Sequence, residues 1–305
     1  MKLLYIGVCM ENLEEHYPSY TKGEFLEDAY TEDELVDVVI RQHINVLMVD
    51  VLGTTFTAPL LQQLKGRIRL INFLYQSIDS LIDLEEAACC DIVVRKLPDN
   101  MYCNEVAEFA ITQLLCACKG TIEFDASIKN GEWNQAVHTN LSVKGKTLGI
   151  VGFGNIGKRI IELCGNWGMN IVVTRKHLNG QQCLPNVTFA DFPDLIENSD
   201  FIIFAVPLNE DTFHMFNRNH IDRLKRNSII VNISRGNVVD ENAIHEALRS
   251  GRLHRYCTDV FSQEPINKDH VFLNSDKTIV SPHVAWATED TLQKTYGVWF
   301  DQTII

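Results

Sequence analysis

The chain has 305 residues, 46% hydrophobic and 22% charged, which is enough for two lobes that each bury a core. Its formal net charge of −13 argues against nucleic acid and anionic membrane surfaces as partners. No secretory leader pattern opens the sequence and no apolar run approaches the ~20 residues of a membrane span. The nine scattered cysteines contain no C-x-x-C pair, so they read as buried reduced thiols of a cytoplasmic protein, with no metal-ligating pattern.

Taken in order, residues 2–8 are the first strand candidate. Helical spacing follows at 32–43, a strand at 45–49, a helix at 58–64, a strand at 68–74, a helix at 84–90 and a strand at 91–97. Residues 105–119 carry apolar positions at helical spacing and lead into a second unit. There the alternation resumes: helix 158–167, strand 170–174, helix 192–198, strand 201–206, helix 218–224, strand 228–233, helix 241–250, strands 255–260 and 277–281, and a final helix from about 289. Such alternation predicts an α/β protein with parallel sheets covered on both faces.

The second unit is organised around Leu148-Gly149-Ile150-Val151-Gly152-Phe153-Gly154-Asn155-Ile156-Gly157, an apolar run ending in G-x-G-x-x-G before an amphipathic segment. In a dinucleotide fold Gly152 permits the tight turn, Gly154 lets a pyrophosphate approach the backbone, and Gly157 lets helix pack on strand. Asn155 and Ile156 then open the helix whose N–H groups face the phosphates. The next strand ends Thr174-Arg175-Lys176-His177. A carboxylate at this place would bind the ribose of NAD(H). Its replacement by a hydroxyl and basic side chains favours the extra phosphate of NADP(H), with NAD(H) as the alternative. Val206, Pro207, Ile233, Ser234 and Ala285 lie at or just beyond later strand ends and are further cofactor-side candidates.

Three later segments sit where α/β sheets bind ligands: Val231 to Gly236, Thr258 to Pro265, and Ser281 to Trp286. With Val106-Ala107-Glu108, Gly131 and Trp133, Gly145 to Gly149 and the glycine loop, they resemble the D-isomer-specific 2-hydroxyacid dehydrogenase family in order and spacing over roughly residues 70–290. The resemblance implies a flavodoxin-like substrate lobe built from both chain ends, 1–103 with 289–305, and an inserted Rossmann-type dinucleotide domain, 104–288. It places the catalytic arginine at Arg235, the acid at Glu264 and the histidine at His283, with Asp259 facing the nicotinamide. Those residue types suit a 2-keto acid. A guanidinium clamps the carboxylate, an imidazole supplies the proton an alkoxide needs, and a carboxylate orients the imidazole.

The first-lobe loop, Phe73 to Leu81, departs from the family by lacking glycine. Tyr75, Gln76 and Ser77 are its substrate-side candidates, and Met101 or Tyr102 could line the same pocket. Trp286, three residues after His283, is a candidate cap for a small substrate; the resemblance adds that a similar His-x-x-Trp arrangement occurs in glyoxylate and hydroxypyruvate reductases of the family. The expected activity is therefore hydride transfer between NADP(H) and a small 2-keto acid or D-2-hydroxy acid, in a homodimer paired through helix 105–119 and segment 122–140. The alternatives are a dinucleotide-gated binding or sensor protein, and an enzyme of this fold acting on phosphite or another small oxyanion.

Overall fold

The computed structural model describes residues 2–7, 24–26, 31–50, 55–79, 81–133, 135, 140–176 and 186–303. The chain divides into two compact units, Met1–Met101 with Thr288–Ile305, and Tyr102–Ala287.

The first unit is built on a parallel sheet of β1 (Leu3–Gly7), β2 (Glu24–Leu26), β3 (Val46–Asp50), β4 (Leu70–Phe73) and β5 (Val93–Arg95), in the order β2-β1-β3-β4-β5. The central strands are apolar on both faces because helices cover both. Those helices, Glu32–Gln42, Ala58–Leu64 and Leu84–Cys89, start where Thr31, Thr57 and Asp83 accept a main-chain N–H through their side chains. Thr31 and Glu34 form a reciprocal capping box. The last helix, Glu289–Thr303, belongs to this unit, and a buried set of hydrogen bonds seats it on β4. Asn72 donates to the Trp299 carbonyl (2.7 Å) and the Thr303 hydroxyl (2.8 Å), while the Trp299 indole donates to the Asn72 carbonyl (3.0 Å). The Asn72 and Trp299 side chains thus each donate to the other residue's main-chain carbonyl, which docks the helix on β4.

The second unit holds β6 (Thr147–Val151), β7 (Asn170–Thr174), β8 (Val187–Phe189), β9 (Phe201–Phe204), β10 (Ser228–Asn232), β11 (Leu253–Thr258) and β12 (Thr278–Val280). All pairings are parallel, in the order β12-β11-β10-β9-β6-β7-β8. The chain winds outward from β6 to β8, then returns to β9 and winds the other way. Strand order therefore reverses between β6 and β9, the place where such sheets open a ligand crevice beyond their carboxyl ends.

The α/β architecture agrees with the sequence reading, and three details differ. The helix after the glycine loop runs Asn155–Cys164, not 158–167, because Gly157 is already helical. Two of the four three-residue edge strands, β2 and β8, stand where the sequence reading placed no strand. Helix Thr121–Lys129 follows at once on the left-handed Gly120 and buries no residue, so it lacks an apolar stripe to read. Burial pushes the thiols of Cys118 and Cys164 up to about 11 and about 12, which keeps them inert, whereas Cys89 is exposed. Among the described residues no helix is long and apolar enough to cross a membrane.

One half-buried polar group marks the β1–β3 junction. Asp50 accepts hydrogen bonds from the hydroxyls of Tyr5 (3.0 Å) and Tyr75 (3.4 Å). Burial raises its pKa to about 6 against the opposing effect of both tyrosines. Because the folded pKa lies above the unfolded 3.8, its stabilising contribution is complete in acid and is lost as pH rises through about 6. Asp50→Asn is expected to melt higher than the native chain at pH 8, by up to about 3 kcal/mol, and to lose that advantage near pH 4. Thermal melts at the two pH values check this, and a pH-independent difference would refute it.

Candidate active site

The glycine loop lies at the point of strand reversal. The Gly152 N–H donates to the Thr174 carbonyl (3.0 Å) and the Ala205 N–H to the Val151 carbonyl (2.8 Å), so the loop is fixed to β7 and β9. Gly152 has φ +112°, and a Cβ there would lie 2.4 Å from the Ala205 oxygen. A Cβ on Gly157 would lie 2.2 Å from the Gly152 oxygen, so helix and strand are in main-chain contact. At Gly154 a Cβ would meet nothing within 4 Å, and this residue caps helix Asn155–Cys164 without a side-chain hydrogen bond. An open approach to helical N–H groups, with close packing behind it, fits the pyrophosphate of a dinucleotide.

Thr174 is buried at the end of β7. Beyond it the half-buried Arg175 sets its guanidinium over Phe189 (4.8 Å) and Phe153 (5.7 Å), whose rings meet edge to face. Lys158 lies 5.2 Å from the same Phe153 ring. Two cations are thus gathered around the residue between the first two glycines, held partly by the aromatic faces. Lys176 is exposed and ion-paired with Asp211, which leaves Arg175 and Lys158 as the stronger phosphate candidates. His177 lies outside the described residues. Val206 and Pro207 follow β9, with Val206 against the missing side chain of Gly152.

At the end of β10, buried Asn232 shapes the arginine segment. Its side-chain oxygen accepts from the Ser234 N–H (3.1 Å) and hydroxyl (2.7 Å), and its amide donates to the Arg235 carbonyl (3.0 Å). Ile233 and Ser234 are thereby buried, while Arg235 reaches solvent. A Cβ on Gly236 would lie 1.9 Å from the Phe261 carbonyl carbon, so this segment abuts the one that carries Glu264. Although Arg235 reaches solvent, the protein packed around its guanidinium partly desolvates it and lowers its pKa; the Glu264 charge opposes that, and the group remains cationic.

Glu264 accepts the Phe261 N–H on one oxygen (2.9 Å) and meets His283 Nδ1 with the other (2.7 Å). Burial alone would raise its pKa, but hydrogen bonds from His283 and Phe261 and the charges of His283 and Arg235 outweigh this and hold it below its usual value. An ionised carboxylate only accepts, so Nδ1 carries the proton in this contact, and Nε2 is the ring nitrogen that Glu264 does not engage. The His283 side chain is 32% exposed, which leaves it reachable by a ligand.

Asp259 fixes the histidine turn. It is 1% exposed. One carboxylate oxygen accepts from the Ser281 hydroxyl (2.6 Å) and the Val284 N–H (3.0 Å), the other from the Ala285 N–H (2.7 Å). Its carbonyl accepts the His283 N–H at 2.8 Å. His283 adopts φ +56°, a conformation unfavourable for a side-chain-bearing residue and retained because its neighbours on both sides are pinned. Trp286 leaves this turn with its ring 5.2 Å from Tyr102, at the start of helix Cys103–Lys119.

The second unit therefore brings together Arg235, Glu264 and His283, with Asp259 and Trp286 on the same turns. Tyr75, Gln76 and Ser77 belong to the first unit, at the carboxyl end of β4. There the Gln76 amide donates to the Pro98 carbonyl (2.7 Å) and its carbonyl accepts from Lys96 (2.7 Å), while the Tyr75 hydroxyl is turned to Asp50. The roles of Asn232 in shaping the arginine segment and of Asp259 in tying the histidine turn were not legible in the sequence. Their partners are set by folding, and a polar residue at a strand end was the only signal.

Comparison with known proteins adds a lineage. A model of the "D-isomer specific 2-hydroxyacid dehydrogenase, NAD binding domain" matches residues 111–285. The chain is 32% identical over 269 residues to a D-3-phosphoglycerate dehydrogenase of Methanocaldococcus jannaschii, covering 88% of this chain and 50% of that protein. It is 35% identical over 218 residues to a glyoxylate reductase of Korarchaeum cryptofilum, covering 69% and 64%. The matched stretches thus span from half to just under two-thirds of these relatives. The crystal structure of a glyoxylate reductase from Paecilomyes thermophila has the same fold, with a TM-score of 0.82 at 22% identity over 98% of this chain and 93% of that one.

Proposed function

This chain belongs to the D-isomer-specific 2-hydroxyacid dehydrogenase family, and we propose that it is an NADPH-dependent reductase of small 2-keto acids such as glyoxylate or hydroxypyruvate. The observation that carries the reading is the 2.7 Å contact between Glu264 and His283 Nδ1, on turns that also carry Arg235. Bound NADPH supplies hydride to the keto carbon. The chain's own residues manage the charges. Arg235 holds the substrate carboxylate and polarises the ketone through its planar fork. His283 gives the Nε2 proton to the oxygen that becomes negative, and Glu264 accepts from Nδ1 and fixes the plane of the ring. Trp286, steadied by Tyr102, limits substrate size and excludes water. The glyoxylate reductases among its relatives favour the small-substrate reading.

The preference for NADPH rests on Arg175 and Lys158, since the residue after β7 is basic where an acid would serve NAD(H). Two copies pair through helix Thr121–Lys129 and the segment after it, where Ile122, Ile128 and Trp133 are 50%, 54% and 79% exposed beside a groove of about 300 Å³.

Three measurements test these statements. His283→Gln is expected to lower kcat by about 10²–10⁴ while NADPH still binds, and undiminished turnover would refute the proton-transfer role. Arg175→Asp is expected to weaken NADPH by about tenfold to a hundredfold and leave NADH nearly unchanged, the equivalent of losing a charge-assisted contact. Equal weakening of both cofactors would count against the assignment. Light scattering is expected to find a dimer that Trp133→Glu dissociates, and a monomeric native chain would contradict the pairing.

A further inference from the structure

Helix Cys103–Lys119 turns a face of Ala107, Ala110, Ile111, Leu114 and Ala117 into the core of the second unit. Gln113 interrupts that face and is only 4% exposed. Its amide nitrogen donates to the Ser281 hydroxyl oxygen at 3.1 Å, and that hydroxyl lies 2.6 Å from an Asp259 oxygen. The direction of this chain is set by chemistry. An ionised carboxylate can only accept, so the single hydroxyl proton of Ser281 goes to Asp259, and the serine oxygen is left as an acceptor for an N–H donor. The side-chain oxygen of Gln113 is buried and has no hydrogen-bond partner among the described residues. A Leu or Met would fill the same space without that burden, so the amide's donor is what the position uses. Behind it, the Cys257 thiol contacts the Gln113 carbonyl at 3.7 Å, tying the helix to β11.

We infer that Gln113 is a positioning residue for the reaction at His283. By donating to Ser281 it keeps the Asp259 carboxylate turned to the N–H groups of Val284 and Ala285, which holds His283 in its left-handed backbone and keeps Nδ1 on Glu264. Gln113 touches neither substrate nor cofactor. The groups that face the imidazole side of the relay are Glu264, with the Arg235 charge acting on it, and Asp259 below the turn. This inference rests on the proposed proton transfer by His283.

The test uses Gln113→Met, Ser281→Ala and Ser281→Thr in the full chain. Two readouts are followed: steady-state kinetics with NADPH and a small keto acid, and the downfield Nδ1–H proton resonance of His283 in protein without cofactor, assigned by its loss in His283→Gln. Gln113→Met is expected to lower kcat about tenfold with KM for NADPH unchanged, and to weaken or abolish the downfield resonance. Ser281→Ala should do the same, the double variant should be no worse than either single one, and Ser281→Thr, which keeps a hydroxyl, should restore both readouts. Native kcat with an intact resonance in Gln113→Met overturns the inference, as do losses that multiply in the double variant. If Gln113→Met does not fold, Ser281→Ala and Ser281→Thr decide, and equal behaviour of the two overturns it. Retained turnover in His283→Gln would instead remove the assigned role of His283, while the resonance in Gln113→Met would still report whether the structural link exists.

Discussion

Both carboxylate oxygens of Asp259 and its own peptide carbonyl are committed to the four residues from Ser281 to Ala285, apart from the proline. A carboxylate that is 1% exposed is tolerable only with such a set of donors, and main-chain N–H groups in an irregular turn are tolerable only with such an acceptor. Each need answers the other. Hydrogen bonds to a charged acceptor contribute about 1.5–3 kcal/mol apiece, enough to maintain the left-handed backbone of His283. The histidine's position is therefore inherited from the end of β11, which Asp259 directly follows.

The same economy of space recurs where chemistry is placed beside a strand end. Gly157 brings a helix onto the Gly152 carbonyl, and Gly236 brings the Arg235 segment onto the Phe261 peptide. In both places the absent side chain lets two main chains touch, which shortens the reach from rigid sheet to ligand. Electrostatics are local as well. A chain of net charge −13 still gathers Lys158 and Arg175 around Phe153, and Arg235 near Glu264. The overall charge bears on bulk association and the sites on their own neighbours.

Much of this could be read without coordinates. Long, doubly buried strands announce themselves as apolar runs, and the glycine spacing of 152, 154 and 157 encodes steric needs that a sequence displays directly. Arg235, Glu264 and His283 were legible because each residue type suits one step and their order matches a family. What escaped depends on contacts between distant segments. Gln113 reads as one more helix position until Ser281, 168 residues later, is seen against it. Asn232 and Asp259 look like ordinary strand-end polar residues until the turns they hold are traced. Arg175 was identified by charge, while the stacking that orients it needed Phe189 on the short β8. Gln76 and Tyr75 looked available to a ligand and have side-chain partners within their own unit.

The most direct measurement is the loss of nicotinamide absorbance when the purified chain is mixed with NADPH, then NADH, and a panel of glyoxylate, hydroxypyruvate, pyruvate, phenylpyruvate and a branched-chain keto acid. The expected result is oxidation of NADPH, faster than of NADH, with glyoxylate or hydroxypyruvate the best substrate. NADPH binding without turnover on any member of the panel would contradict the assignment of this chain as a small 2-keto acid reductase.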